Sequence, residues 1–183
     1  MNLTFDPAQS SLRIETVAKG MLAKLAHDLA IDAKSLTADA SYDGGKAELT
    51  LRVPIADLKV YGVRKGGTVD TSVLSSSDRA EIERKIRSEV LKGEAVVAKL
   101  SCDAALDPGK RTVSARGKVE VGGRSTPVSS ALDVEGSDNT VTVKGRVRVS
   151  LPSLGIAPPK GPLGAFRVDD DVEVVVSLHF TRA

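Results

Sequence analysis

A chain of 183 residues, 41% hydrophobic and 27% charged, is long enough for one domain with a full core; with 3% aromatic residues and no Trp, that core must be aliphatic. Twenty-six basic residues against 24 acidic ones leave a formal charge of +2, and Phe5, Tyr42, Tyr61, Phe166 and Phe180 are scattered, which argues against a nucleic-acid surface built on charge and base stacking. The lone Cys102 excludes an internal disulfide and a thiolate metal cluster, and no run approaches the roughly 20 apolar residues of a membrane-spanning helix.

The N-terminal residues MNLTFDPAQSS carry an acid and no apolar run of secretory length. The chain as written is therefore expected in the cytoplasm, or in the periplasm if a leader was removed.

In chain order, the first predicted element is a strand in which Leu12, Ile14 and Thr16 alternate with Arg13 and Glu15. Residues 21–29 (MLAKLAHDL) suit a helical turn by spacing and an extended segment by position. Residues 47–55 place Ala47, Leu49, Leu51, Val53 and Ile55 on one face, whereas the Gly-rich residues 60–73 read as a loop. Residues 79–93 break the period of two. Ile82, Ile86, Val90 and Leu91 recur at helical spacing, with Asp78 as the expected N-cap, Glu81 bonding back to it, and Gly93 ending the helix. Such a helix is placed to plug one end of a barrel.

Strands resume with Val96, Ala98, Leu100 and Cys102 on one face, then Val113, Ala115, Val119 and Val121. The clearest alternation follows, over residues 141–149 (VTVKGRVRV) and 172–180 (VEVVVSLHF). Turn residues punctuate these runs: Asp43-Gly44-Gly45, Asp107-Pro108-Gly109-Lys110, the Gly122-Gly123 hairpin centre, and Gly136-Ser137-Asp138-Asn139. Between the last two strands, residues 151–166 hold four prolines and three glycines yet keep Leu151, Leu154, Ile156, Leu163 and Phe166. So apolar a loop either packs on the core as a lid or lines a pocket mouth. The reading is one all-β domain over residues 1–183, an antiparallel barrel with one short amphipathic helix.

Tests for chemistry come back weak. His27 and His179 have no metal-ligand spacing, so no metal and no cofactor is expected. His27 precedes Asp28, an orienting partner or a mere surface neighbour, and His179 alternates outward, toward solvent. Cys102 reads as a small buried hydrophobe, Asp169-Asp170-Asp171 as solvated carboxylates, and no nucleophile elbow or phosphate-binding glycine loop is present. No catalytic residue is assigned. An enzyme would need His27 within reach of Cys102 or a carboxylate.

The opening Phe5-Asp6-Pro7-Ala8-Gln9-Ser10-Ser11-Leu12, the helix and its exit over residues 75–102, the hairpin GKVEVGGRSTPV (117–128), the strand VKGRVRVSLPSLGI and the acidic lead Val168-Asp169-Asp170-Asp171 together resemble the YceI-like family of lipocalin-like barrels. The resemblance covers nearly the whole chain. It implies a binding protein, not an enzyme, whose partner is a long-chain apolar lipid such as a polyisoprenoid or a quinone-like molecule. On that reading Leu25, Ile31, Val119, Leu132, Val149, Leu151, Ile156 and Phe166 line the interior, with His27 meeting a polar head, and the 151–166 loop gates it. The rival reading is a filled barrel serving as a protein-interaction or structural module. On either reading an exposed strand edge makes a homodimer the expected assembly.

Overall fold

The structure, a computed structural model, describes residues 2–21, 26–103 and 108–182. Its strands are β1 (Asn2–Glu15), β2 (Ala18–Lys19), β3 (Leu29–Ala33), β4 (Thr37–Asp43), β5 (Lys46–Pro54), β6 (Leu58–Lys65) and β7 (Thr68–Asp70), then β8 (Ala95–Asp103), β9 (Gly109–Val121), β10 (Arg124–Gly136), β11 (Thr140–Ser150), β12 (Arg167–Val168) and β13 (Asp171–Arg182). One helix, α1 (Ser76–Lys85), continues into a wider π turn over Ile86–Val90.

Strands β1, β4, β5, β8, β9, β10, β11 and β13 form a closed antiparallel cycle, because β13 pairs with β11 on one side and β1 on the other. Closure works because β1 divides its length. Asn2 and Leu3 pair with β4, while Arg13–Glu15 pair with β3. A flap of β3, β6 and β7 therefore splays from the upper half of β1, and α1 packs on it. Alternation along each strand then sends one set of side chains inward. Val147, Val149, Val172, Val176, Leu178, Val119 and Val121 are buried, whereas Lys144, Arg146 and Arg148 stand outside. This polarity is the opposite of a membrane-spanning barrel. Among the described residues, no helix is long and apolar enough to cross a membrane.

The interior is packed at one end. There Phe5 and Phe180 meet with ring centroids 5.5 Å apart, and Leu178 and Val141 are sealed from solvent. Gly122 and Gly123, at φ 57° and 76°, turn β9 into β10 as the two-residue hairpin expected from their freedom to adopt left-handed backbone. Pro127 also finds a site that tolerates its missing N–H. The β11 register on β10 runs over Leu132–Gly136 alone, so Pro127 has a ladder partner only on the β9 side.

Two local expectations are corrected. Residues 60–73 hold a strand pair, β6 and β7, with Gly66-Gly67 as their turn; the glycines mark a hairpin, and Gly62 lets the two backbones approach. The helix begins one turn earlier than predicted. Ser75 is the N-cap, its Oγ accepting from the Asp78 N–H at 3.1 Å while the Asp78 carboxylate accepts from the Ser75 N–H at 3.0 Å, a reciprocal capping box. Glu81 instead pairs with Lys85 at 3.1 Å, and the extended Leu91, not Gly93, ends the helical backbone. The turn expected at 107–110 includes Asp107, which lies outside the described residues.

Candidate functional site

Above the aromatic pair the barrel is hollow. A cavity of about 770 Å³ runs between the two walls and opens beside α1 and the 151–166 loop. Inward positions build its sides: Leu12 and Ile14 from β1, Leu49, Leu51 and Val53 from β5, Val96, Ala98 and Leu100 from β8, and Val172, Val174 and Val176 from β13. Ile82, Ile86, Val90 and Leu91 close it from the helical side, so the predicted apolar stripe does face the barrel. Leu151, Leu154, Pro159 and Phe166 come from the loop, which is at once lid and lining.

The helix is held over the opening by one side chain in particular. Glu83, largely covered, accepts the Val60 N–H at 3.0 Å and the Lys59 ammonium at 3.3 Å. Outside the same end, Glu15 receives Arg64 and Arg146, each at 3.0 Å, and Arg146 also reaches Glu173 at 2.8 Å. This network ties β1, β6, β11 and β13 together around the mouth. Arg13 grips Asp32 at 2.6 and 3.1 Å and lies over the Tyr61 ring.

Polar groups reach the cavity sparingly. Thr16 is buried, its hydroxyl oxygen accepting the Leu29 N–H at 3.1 Å. His27, Lys85 and Lys160 stand at the mouth, where Lys160 has no carboxylate partner among the described residues. A long apolar body with its polar end at the opening suits this distribution.

Of the predicted lining residues, His27, Ile31, Val119, Leu132, Val149, Leu151 and Phe166 border the cavity. Ile156 does not. It is buried in the core beside Leu154, because the 3-10 turn Pro152–Leu154 and the left-handed Gly155 rotate it away. Leu25 lies outside the described residues. Of the lining residues not predicted, Leu49, Leu100 and the helix stripe lie on faces whose apolar parity is visible in the sequence, but nothing in parity tells a filled interior from an empty one, and Leu58, Lys85 and Lys160 carry no periodic signal at all.

The histidines and the thiol do not assemble into a catalytic group. Asp28 spends its carboxylate on the Ala18 N–H at 2.8 Å. His179, expected exposed, is half-buried: the irregularity between Asp6 and Ser11 in β1 lays the Ser10 hydroxyl against its backbone N–H, and Thr142 flanks its Nδ1. Cys102 is half-buried near the packed end, paired with Ala47 beside the β4–β5 turn, while His27 sits at the mouth. From Val96 to Cys102 is six strand residues, roughly 20 Å. Burial, with a smaller contribution from the Asp103 charge, pushes the thiol pKa up, the wrong direction for a nucleophile.

These features define a class: an eight-stranded antiparallel barrel, capped by a helix and holding an internal apolar cavity. No protein-family model matches the sequence, and no curated protein does. Solved structures do resemble it. The chain is similar to a polyisoprenoid binding domain from Saccharophagus degradans implicated in plant cell wall breakdown, with a TM-score of 0.67 and 11% identity over 99% of this chain and 98% of that one. It is also similar to Burkholderia cenocepacia BcnA, with a TM-score of 0.64 and 15% identity over 96% of this chain and 98% of that one. Both are lipocalin-like eight-stranded barrels, so the fold implied by the sequence resemblance is the fold found.

Proposed function

We propose that this protein is a non-enzymatic carrier that sequesters a long-chain apolar lipid, isoprenoid or quinone-like, inside the barrel. The observation that carries the reading is the cavity of about 770 Å³, walled almost wholly by aliphatic side chains and polar only at its mouth. Its size falls within the range of small-molecule sites. At about 30 Å³ for each water-sized group, it holds on the order of 25 heavy atoms. Each methylene removed from water contributes about 0.8 kcal/mol, enough over such a chain to outweigh the cost of ordering it. The polyisoprenoid-binding neighbour supports the same ligand class. The hollow interior weighs against a filled barrel acting through its surface.

Native mass spectrometry of protein purified from cells, followed by organic extraction, tests this. The expected result is a co-purified long-chain lipid in near-stoichiometric amount. An empty protein that also fails to take up added prenols would overturn the proposal.

A further inference from the structure

A second, small cavity of about 60 Å³ lies toward the packed end, bordered by Cys102, Val134, Val141 and Phe180. It shares Leu49, Leu100, Leu132 and Val143 with the large cavity. These four therefore form the partition between two spaces in one barrel. Leu49 and Leu100 are direct cross-strand partners on β5 and β8, and Leu132 and Val143 come from β10 and β11. The partition has a particular construction. Leu132 faces Gly145 across the ladder, and its Cδ2 fills the space that a Cβ at position 145 would need. Glycine at an inward position thus leaves room for the Leu132 side chain over β11, where it borders both cavities.

We propose that Leu132, backed by Leu49, Leu100 and Val143, is the stop that sets how long a chain the barrel accepts. This inference rests on the carrier reading above. A chain fed from the mouth meets the Leu132 partition before it can reach the small cavity, and the Phe5–Phe180 pair closes the barrel beyond. Leu132→Ala removes three carbons and joins the two spaces. At about 30 Å³ for each carbon-sized group, the joined volume accommodates about five further heavy atoms, one isoprene unit.

The test is competition among a series of all-trans prenols differing by one isoprene unit, read by native mass spectrometry on wild type, Leu132→Ala and Leu49→Ala. The expected result is that the longest prenol retained shifts up by about one unit in either variant. Cys102 supplies a second readout. A bound long prenol should slow alkylation of its thiol in Leu132→Ala and leave the wild-type rate unchanged. Identical length limits in wild type and both variants would overturn the stop while leaving the carrier reading intact; a wild type that takes no prenol would overturn the carrier reading itself. Should Leu132→Ala fail to fold, Leu49→Ala alone decides the matter.

Discussion

The ring of Phe166 occupies the space beside Gly161, so that a Cβ at position 161 would stand 2.6 Å from Cε2, inside any real carbon contact. The Gly161 N–H also donates to the Phe166 carbonyl at 2.9 Å, closing a tight loop whose tip, Leu163, points wholly into solvent. Phe166 is the aromatic side chain at the cavity mouth, and the missing side chain at 161 is what seats it there.

Gly161→Ala should therefore displace the ring without disturbing the barrel. The expected effect is release of a bound prenol accelerated roughly tenfold, equivalent to about 1.4 kcal/mol of lost contact. Stopped-flow displacement of a fluorescent lipid measures it, with Phe166→Ala as the reference. An unchanged release rate would mean that the loop does not guard the mouth.

Gly117 is a different case, because what surrounds it is backbone. A Cβ there would collide with the Lys99 carbonyl oxygen and lie 2.8 Å from its carbon and 2.9 Å from the Leu100 Cα. No rotamer change relieves this; β8 and β9 would have to part. Gly117→Ala is expected to cost roughly 3 kcal/mol or more by urea denaturation, at the far end of single substitutions. Gly44→Ala, in an open turn at φ 54°, should cost only about 1 kcal/mol. Equal costs would contradict the packing described for the β8–β9 ladder.

Much of this barrel was legible from alternation. Residues 141–149 and 172–180 bury one face and wet the other, so a period of two reports them without ambiguity. The β6–β7 pair was hidden because β7 is three residues long and its partner carries Gly62, leaving turn residues as the louder signal. Ile156 was misplaced because a proline-rich loop has no period from which to infer direction. His179 follows strand parity, but its cover comes from a β1 irregularity that no local pattern announces. Alternation alone is silent on the cavity, which only the family resemblance implied: Leu49 or Val96 points inward identically whether it meets a neighbour or leaves space.

Cys102 gives a pH prediction. Because burial raises its folded-state pKa, the native protein keeps the thiol proton to higher pH than the unfolded chain does. Stability is thus retained below the ordinary thiol value of 9.0 and falls as the pH rises through it and on toward the folded value. Thermal unfolding across alkaline pH should show a shallower decline for Cys102→Ala than for wild type. Disulfide-exchange labelling should also be slow in the native protein near neutrality and fast in urea; rapid native labelling would contradict the half-buried placement.

Val149 offers the most direct test of which face is which. It is 5% exposed, borders the cavity and pairs with Val172, whereas Val175, on the neighbouring strand, faces outward between Arg13 and Arg146 in the ladder. Val149→Glu puts a carboxylate against the bound chain, where it must either draw in water or take up a proton. Lipid retention is expected to vanish at neutral pH, with the β-sheet circular dichroism preserved because the cavity has room to hydrate the group. Desolvation raises a carboxyl's pKa, so retention should recover in part as the pH falls and the acid becomes neutral. Val175→Glu should retain lipid as wild type does, because its carboxylate stands on the outer face of the barrel. If instead Val149→Glu keeps its lipid and Val175→Glu loses it, the strand parity is inverted and the ligand does not lie in this cavity.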